Sequence, residues 1–312
     1  MDAVENKTVL VTGGRGFIGR AVTKLLQRTG YAVVSLDTSS TGSLSTDQQS
    51  ESEVFCDLSD AAGLQHVFEM RGKSQQIVGI IHLAAILPTA AQREPVQATQ
   101  VNIEGSLHLL EAARRFGVHR LVFGSSLSVY GTYPVEQVVS EDNRAAPEDL
   151  YAAAKVYVEQ LGEAYRRSFG LEFISLRIGR VVGCGSQSVT SAWRSQIFEH
   201  VTATNPTEIA VPYIGSERIL LVHVDDVARM LVALLTAEQP AHAVYNATCE
   251  SVVVSDLKRE LEQLNPDITV ELGQATASGN PRLLDSSRFR QEFAFETLPI
   301  FEQLKRAGGR RP

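Results

Sequence analysis

Lys7-Thr-Val-Leu-Val-Thr12 runs straight into Gly13-Gly-Arg-Gly-Phe-Ile-Gly19, and no other stretch constrains the fold as tightly. A buried strand that ends in closely spaced glycines and is followed by a helical pattern brings backbone N–H groups against a pyrophosphate. One glycine makes the tight turn, one lets the backbone approach the phosphates, and one lets helix and strand pack closely. The next strand-like run, Tyr31-Ala-Val-Val-Ser-Leu36, closes on Asp37, 18 residues past Gly19. A carboxylate at about that separation accepts both ribose hydroxyls of an adenosine.

From residue 1 to about 180 the chain alternates. Strands are expected at 7–12, 31–36, 53–56, 77–83, 119–124 and 172–177, and helices at 16–29, 59–71, 95–117 and 149–169. Several strands are unbroken apolar runs, as parallel strands covered on both faces require. The alternation predicts βαβ units in an α/β fold with a doubly wound parallel sheet. Ser39 to Glu53 reads as a polar surface loop. Past 180 the rhythm changes. Short strands (209–213, 219–223, 244–247) mix with helices (192–203, 225–236, 254–264, 285–293, 299–306). The expected organisation is a dinucleotide-binding domain over 1–180 and, over 181–312, mainly a smaller substrate-binding domain, with 219–247 a candidate to rejoin the sheet.

Composition narrows the function. The 312 residues are 44% hydrophobic and 21% charged, with a net charge of −7. No basic stripe precedes the short Arg310-Arg311 tail, which argues against a nucleic-acid partner. No apolar run approaches the ~18 residues of a membrane span, and the first residues lack the basic flank and apolar core of a signal peptide. Cys56, Cys184 and Cys249 are odd in number and far apart. That pattern fits reduced thiols in a cytoplasmic protein rather than a disulfide frame or a zinc site.

Two further clusters carry chemistry. Tyr151 and Lys155 are four residues apart, so phenol and ammonium share one helix face. A free phenol, with a reference pKa near 10, is a poor base; a neighbouring cation favours the phenolate. Gly124-Ser-Ser-Leu-Ser-Val-Tyr-Gly131 follows the strand-like Leu121-Val-Phe123. In doubly wound sheets ligands sit beyond the carboxyl ends of strands. Ser126 is therefore the candidate to hold a substrate oxygen, with Ser125 and Ser128 as rivals. Asp37 also bears on the cofactor. It would repel a 2′-phosphate, and the Thr-Ser-Ser that follows offers no cation, so NAD is favoured over NADP despite Arg15 nearby.

Taken together, Thr12-Gly-Gly-Arg-Gly-Phe-Ile-Gly19, Asp57-Leu58, His82-Leu-Ala-Ala85, Asn102 with its helix to Ala113, Ser125-Ser-Leu-Ser-Val-Tyr-Gly131, Tyr151 with Lys155, and His223-Val-Asp-Asp-Val-Ala228 resemble the extended short-chain dehydrogenase/reductases of the NAD-dependent epimerase/dehydratase family. The resemblance covers about 6–236. It implies a Rossmann fold with Gly13, Gly16 and Gly19 along the pyrophosphate and Phe17 and Ile18 offering N–H groups. Asp37 would hold the ribose, Asp57 and Leu58 would flank the adenine, and Leu83, Ala84 and Ala85 would line the cofactor cleft. Asn102 and Ser125 would support the cofactor site. Ser126, Tyr151 and Lys155 would form the catalytic triad. The helices at 95–117 and 149–169 would form a homodimer interface.

The substrate half departs from the family pattern. Where the family commonly carries Leu-Arg-x-x-Asn, this chain has Leu176-Arg-Ile-Gly-Arg180. An Arg fork suits a carboxylate or phosphate, and the segment resembles that of uronate dehydrogenases. A structural salt bridge is the alternative role for Arg180. Arg194 and Arg218 are further candidates for anionic groups. His223-Val-Asp-Asp226 lacks a second His spaced for a metal, so no metal is expected. The resulting expectation is an NAD-dependent oxidoreductase or epimerase acting on a carbinol of a sugar or nucleotide-sugar. A net dehydrogenase of a sugar, uronate or sugar acid is the first alternative, and a non-catalytic NAD-sensing regulator is the second.

Overall fold

Val9, Leu10 and Val11 of β1 (Lys7–Thr12) have no exposed surface. Such a run persists only in a strand with a neighbour on each edge and a covered face on each side. The computed structural model, which describes residues 7–38, 53–72, 76–186 and 191–309, supplies both. After β1 come α1 (Phe17–Arg28), β2 (Ala32–Asp37), β3 (Glu53–Phe55), α2 (Ala61–Gly72), β4 (Gln76–His82), α3 (Pro88–Arg93), α4 (Pro95–Thr99), α5 (Gly105–Arg115), β5 (Arg120–Ser126), β6 (Val138–Val139), α6 (Leu150–Phe169) and β7 (Glu172–Ile178). The large sheet has seven strands, in the order β11-β7-β5-β4-β1-β2-β3, where β11 is Val244–Asn246. β1 pairs in parallel with β2 on one edge and β4 on the other. The strand order reverses at β1, which makes its carboxyl end the topological switch point.

The sheet is doubly wound because its side chains are buried in both directions. Leu10, Leu36, Ile80, Leu121 and Phe123 pack with Leu64 and Phe68 of α2, Leu109 of α5 and Val158 of α6. Val9, Val11, Val33, Ile81 and Val122 alternate with them along the strands and are equally buried, so they face the other side. Burial of each such side chain contributes roughly 1.5–3 kcal/mol relative to exposure.

The expected helix over 95–117 is interrupted. Between α4 and α5, residues Gln100–Glu104 form a π-helical turn. α5 then starts on Gly105, where an added Cβ would lie 2.7 Å from the Leu58 Cβ. The wide turn carries Asn102, discussed below. The polar stretch expected as a loop, Ser39 to Glu53, lies outside the described residues except for Glu53, which opens β3. The Arg310-Arg311 tail also lies outside them.

The chain divides into two compact units. The first comprises residues 1–126, 149–176 and 228–244; the second comprises 127–148, 177–227 and 245–312. Within the second, β8 (Arg180–Val182), β10 (Arg218–His223) and β12 (Glu250–Val253) form a three-stranded sheet, and β9 (Thr207–Tyr213) pairs with β13 (Ile268–Ala275). Its core joins Trp193 and Ile197 of α7 (Trp193–Glu199), Leu257 and Leu261 of the helix Val254–Leu264, and Ile300 and Leu304 of the helix Ile300–Gly308.

Candidate active site

The first candidate element is the turn after β1. Gly13 has φ +67°, its N–H donates to the Leu36 carbonyl at 2.8 Å, and its own carbonyl accepts from Gly16 N–H at 3.0 Å. A Cβ at Gly13 would lie 2.8 Å from the Ala84 nitrogen. One at Gly19 would strike the Gly13 carbonyl oxygen and approach the Gly14 Cα to 2.7 Å. Gly16 differs: it is exposed, and a Cβ there would meet only Gly13 O, at 3.0 Å. No side chain caps α1, and its first turn carries no acid. The backbone at Phe17 and Ile18 thus belongs to a helix start with the polarity that attracts an anion. Gly14, not singled out from the sequence, is required as well, because a Cβ there would collide with the Ser35 side chain. The doubled glycine was its signal.

Asp37 closes β2. Its carboxylate accepts from Arg15 N–H at 3.1 Å and Thr38 N–H at 2.8 Å. These bonds orient both oxygens while leaving lone pairs for a diol. The Arg15 guanidinium lies over the Phe55 ring, 5.4 Å from its centroid. Asp57 accepts from the backbone and hydroxyl of Ser59 at 2.9 and 2.8 Å, and Leu58 is buried.

A hydrogen-bond chain fixes the loop after β4. Leu83 and Ala84 each donate a backbone N–H to Thr12 Oγ1 at 3.2 Å. Thr12 Oγ1 lies 2.7 Å from His82 Nδ1, His82 Nε2 lies 2.9 Å from Ser106 Oγ, and Ser106 donates to the Asn102 carbonyl at 2.7 Å. Because the Ser106 proton is spent on Asn102, the consistent assignment has Nε2–H donating to Ser106 and bare Nδ1 accepting from Thr12. Asn102 reaches back to the same loop, accepting from Ile86 N–H at 2.7 Å and donating to Ile86 O at 3.0 Å. Ala85 lies between these anchored residues. His82 is therefore a satisfied core histidine. Burial, with the Lys155 charge as a smaller contribution, lowers its pKa from 6.5 to about 3.

The sign of the resulting pH effect is fixed. As pH falls through 6.5 toward about 3, the unfolded chain takes up a proton that the folded chain refuses, so stability declines over that window. Urea unfolding at pH 7 and pH 5 is expected to show a loss about 2 kcal/mol larger in the parent chain than in His82→Gln. Equal losses would remove His82 as the cause.

α6 carries the second cluster. Asp149 caps it, accepting from Ala152 N–H at 2.7 Å, and Gly170 ends it at φ +72°. Tyr151, half-buried, and Lys155, only 4% exposed, share a face of this helix. Lys155 Nζ donates to the Gly124 carbonyl at 2.7 Å and lies 4.4 Å from the Phe123 ring centroid and 5.4 Å from that of Tyr151. Burial lowers its pKa from 10.5 to about 7, and the Glu159 charge acts in the opposite direction. The serines are placed differently. Ser125 is buried and its hydroxyl donates to Glu159 at 2.5 Å, whereas Ser126, at the end of β5, and Ser128 are half-buried. Sequence reasoning passed over Glu159. Its signal was spacing: it lies one turn beyond Lys155 on the same face.

In the second unit, Arg180 opens β8. Its Nε donates to the Tyr213 hydroxyl at 3.1 Å, and its guanidinium lies over that ring at 5.4 Å. Among the described residues no carboxylate pairs with it, so the salt-bridge alternative finds no partner there. Trp193 is buried and packs edge-on against Tyr213 at 6.2 Å. Arg194 follows it on α7, its carbonyl accepting from Gly183 N–H at 3.2 Å. Arg218 begins β10 and is exposed. Among the described residues no group of three metal-ligating side chains occurs, and no helix is long and apolar enough to cross a membrane.

Comparison with known proteins agrees with this geometry. The model of the NAD dependent epimerase/dehydratase family matches residues 9–248. UDP-glucose 4-epimerase of Lacticaseibacillus casei is 32% identical over 178 residues, which cover 56% of this chain and 52% of that protein; the chain thus spans about half the length of that relative. The crystal structure of Thermus thermophilus UDP-glucose 4-epimerase in complex with NAD has a TM-score of 0.80 at 25% identity, covering 97% of this chain and 98% of that one. L-threonine 3-dehydrogenase from Trypanosoma brucei has a TM-score of 0.83 at 23% identity, over 96% and 95%, a likeness of fold alone. The seven-stranded Rossmann sheet, the glycine turn at its switch point and the match over 9–248 place this chain in the NAD-dependent epimerase/dehydratase family.

Proposed function

We propose that this chain binds NAD along Gly13–Gly19 and Asp37, and transfers a hydride between it and a carbinol carbon of a sugar or nucleotide-sugar. The observation that carries this reading is the buried Lys155 ammonium, held against the end of β5 and one helical turn from Tyr151. In the proposed cycle Tyr151 removes the proton from a substrate hydroxyl. Lys155 stabilises the phenolate, and Ser126 donates to the same substrate oxygen. The bound nicotinamide supplies the hydride acceptor. Gly13, Gly16 and Gly19, with the N–H groups of Phe17 and Ile18, hold the pyrophosphate. Asp57 and Leu58 border the adenine, and Leu83, Ala84, Ala85, Asn102 and Ser125 shape the cleft wall.

Asp37 is the NAD-selecting residue, since a second negative charge on the ribose would face its carboxylate. Asp37→Ala is expected to narrow the preference for NAD over NADP by at least tenfold in Kd, a change of about 1.4 kcal/mol. A variant with undiminished preference places the ribose elsewhere.

A second reading, a net dehydrogenase of a uronate or sugar acid, is favoured by Arg180, a half-buried fork whose Nε donates to the Tyr213 hydroxyl and which has no carboxylate partner among the described residues. In that reading it takes the substrate carboxylate, with Arg194 and Arg218 as further anionic contacts. Incubation with NAD and a panel of hexoses, uronates, UDP-hexoses and L-threonine separates the readings. Stoichiometric reduced cofactor identifies a dehydrogenase. Inversion at carbon without net reduction identifies an epimerase. No turnover of any member, with NAD bound, supports a sensing role instead. Exposed Val96 and Tyr157, at 72% and 51%, on α4 and α6 support a homodimer through those helices. The three separated cysteines support a cytoplasmic setting.

A further inference from the structure

Lys155 and Glu159 lie on consecutive turns of one face of α6, and they hold consecutive residues of β5. Lys155 Nζ donates to Gly124 O at 2.7 Å, and Ser125 Oγ donates to Glu159 Oε1 at 2.5 Å. The next residue along the strand is Ser126. Both ionisable side chains belong to residues almost wholly buried, at 4% and 5% exposure. An ammonium at that depth is costly to keep charged without a counter-charge. Its other neighbours among the described residues do not provide one. The Phe123 and Tyr151 rings lie 4.4 and 5.4 Å from Nζ. His82, on β4, is neutral and bonded to Thr12 and Ser106. Glu159 is the group that favours the charged form of Lys155.

We propose that Glu159 is the positioning residue of Lys155: its carboxylate, oriented by the Ser125 hydroxyl, is the counter-charge that keeps the ammonium beside Tyr151 and ties down the strand end that carries Ser126. This rests on reading Lys155 as the cation that serves Tyr151. A packing role alone would be met by glutamine, which accepts the same Ser125 hydrogen bond in the same volume; only the charge differs. Glu159→Gln therefore separates the two roles.

The chain has six lysines, so a spectrum of the protein labelled with 15N-lysine is sparse, and Lys155→Arg assigns the resonance. The Lys155 Nζ titration is expected to have its midpoint near 7 in the parent chain. In Glu159→Gln it is expected to fall by about one pH unit or more, the effect of removing an opposite charge one helical turn away in a buried setting. Glu159→Asp, which keeps the charge one methylene further off, is expected to fall between the two. Should the Gln variant fail to fold, the Asp variant alone decides. An unmoved midpoint in a natively folded Gln variant, or in the Asp variant if only that folds, overturns the proposal. The titration needs neither NAD nor substrate, so it and the hydride-transfer reading can fail independently.

Discussion

Tyr151→Phe is expected to reduce hydride transfer by about 10³-fold or more while leaving the Kd for NAD within about twofold, because removal of a positioned acid–base group costs 10²–10⁴-fold in rate. The substitution deletes one oxygen. The ring that faces Lys155 Nζ at 5.4 Å remains, and so does the α6 backbone capped by Asp149. The Gly13–Gly19 turn and Asp37 lie on other elements and are untouched. The expected signature is thus a fall in kcat at unchanged cofactor binding, the pattern of an interaction made in the transition state. Unchanged turnover would take Tyr151 out of the reaction. Loss of NAD binding would make it a structural residue of the cleft.

Gly13→Ala is expected to be strongly destabilising. Two costs combine. At φ +67° an L-residue pays about 1–2 kcal/mol for the left-handed conformation. The new methyl would also sit 2.8 Å from Ala84 N, 3.0 Å from Ala84 Cα and 3.1 Å from the Leu83 carbonyl carbon, all backbone. That backbone cannot yield easily, because Leu83 and Ala84 are bound to Thr12 Oγ1. A stability loss of about 3 kcal/mol or more in urea unfolding is expected, with NAD binding at least tenfold weaker. Gly16→Ala is the contrast. Gly16 has φ −67°, and a Cβ there would meet a single atom, the Gly13 carbonyl oxygen at 3.0 Å, so its loss should cost less stability than that of Gly13 and appear mainly in binding. If both variants unfold alike, the separate roles of the glycines are wrong.

The first unit was readable because its signals are local or periodic. Continuous apolar runs gave β1, β4 and β5, glycine spacing gave the turn into α1, and a four-residue step gave the Tyr151–Lys155 face. The π-helical turn at Gln100–Glu104 was not visible. It exists to satisfy Asn102 against Ile86 and to seat Gly105 on Leu58, contacts that no local pattern encodes. α3 escaped notice for a related reason: it is a six-residue helix opened by Pro88, too short to show a period. In the second unit β13 does alternate, with Ile268 and Val270 buried and Thr269 and Glu271 exposed, yet its partner β9 is more than 50 residues away and the pairing has no sequence signature. The site shows the same division. Tyr151 and Lys155, singled out by type and spacing, share one face of α6. Gly14 and Glu159 are distinguished by the neighbours they meet in space, Ser35 and Ser125, which no local pattern encodes.

The account turns on a dinucleotide seated on the Gly13–Gly19 turn with its ribose on Asp37. Isothermal titration of the purified chain, first freed of any retained nucleotide, with NAD and with NADP tests this most directly. The predicted result is one NAD site per chain with a Kd in the micromolar range, roughly −8 kcal/mol, and binding of NADP at least tenfold weaker. Absence of binding by either cofactor would contradict the account at its root.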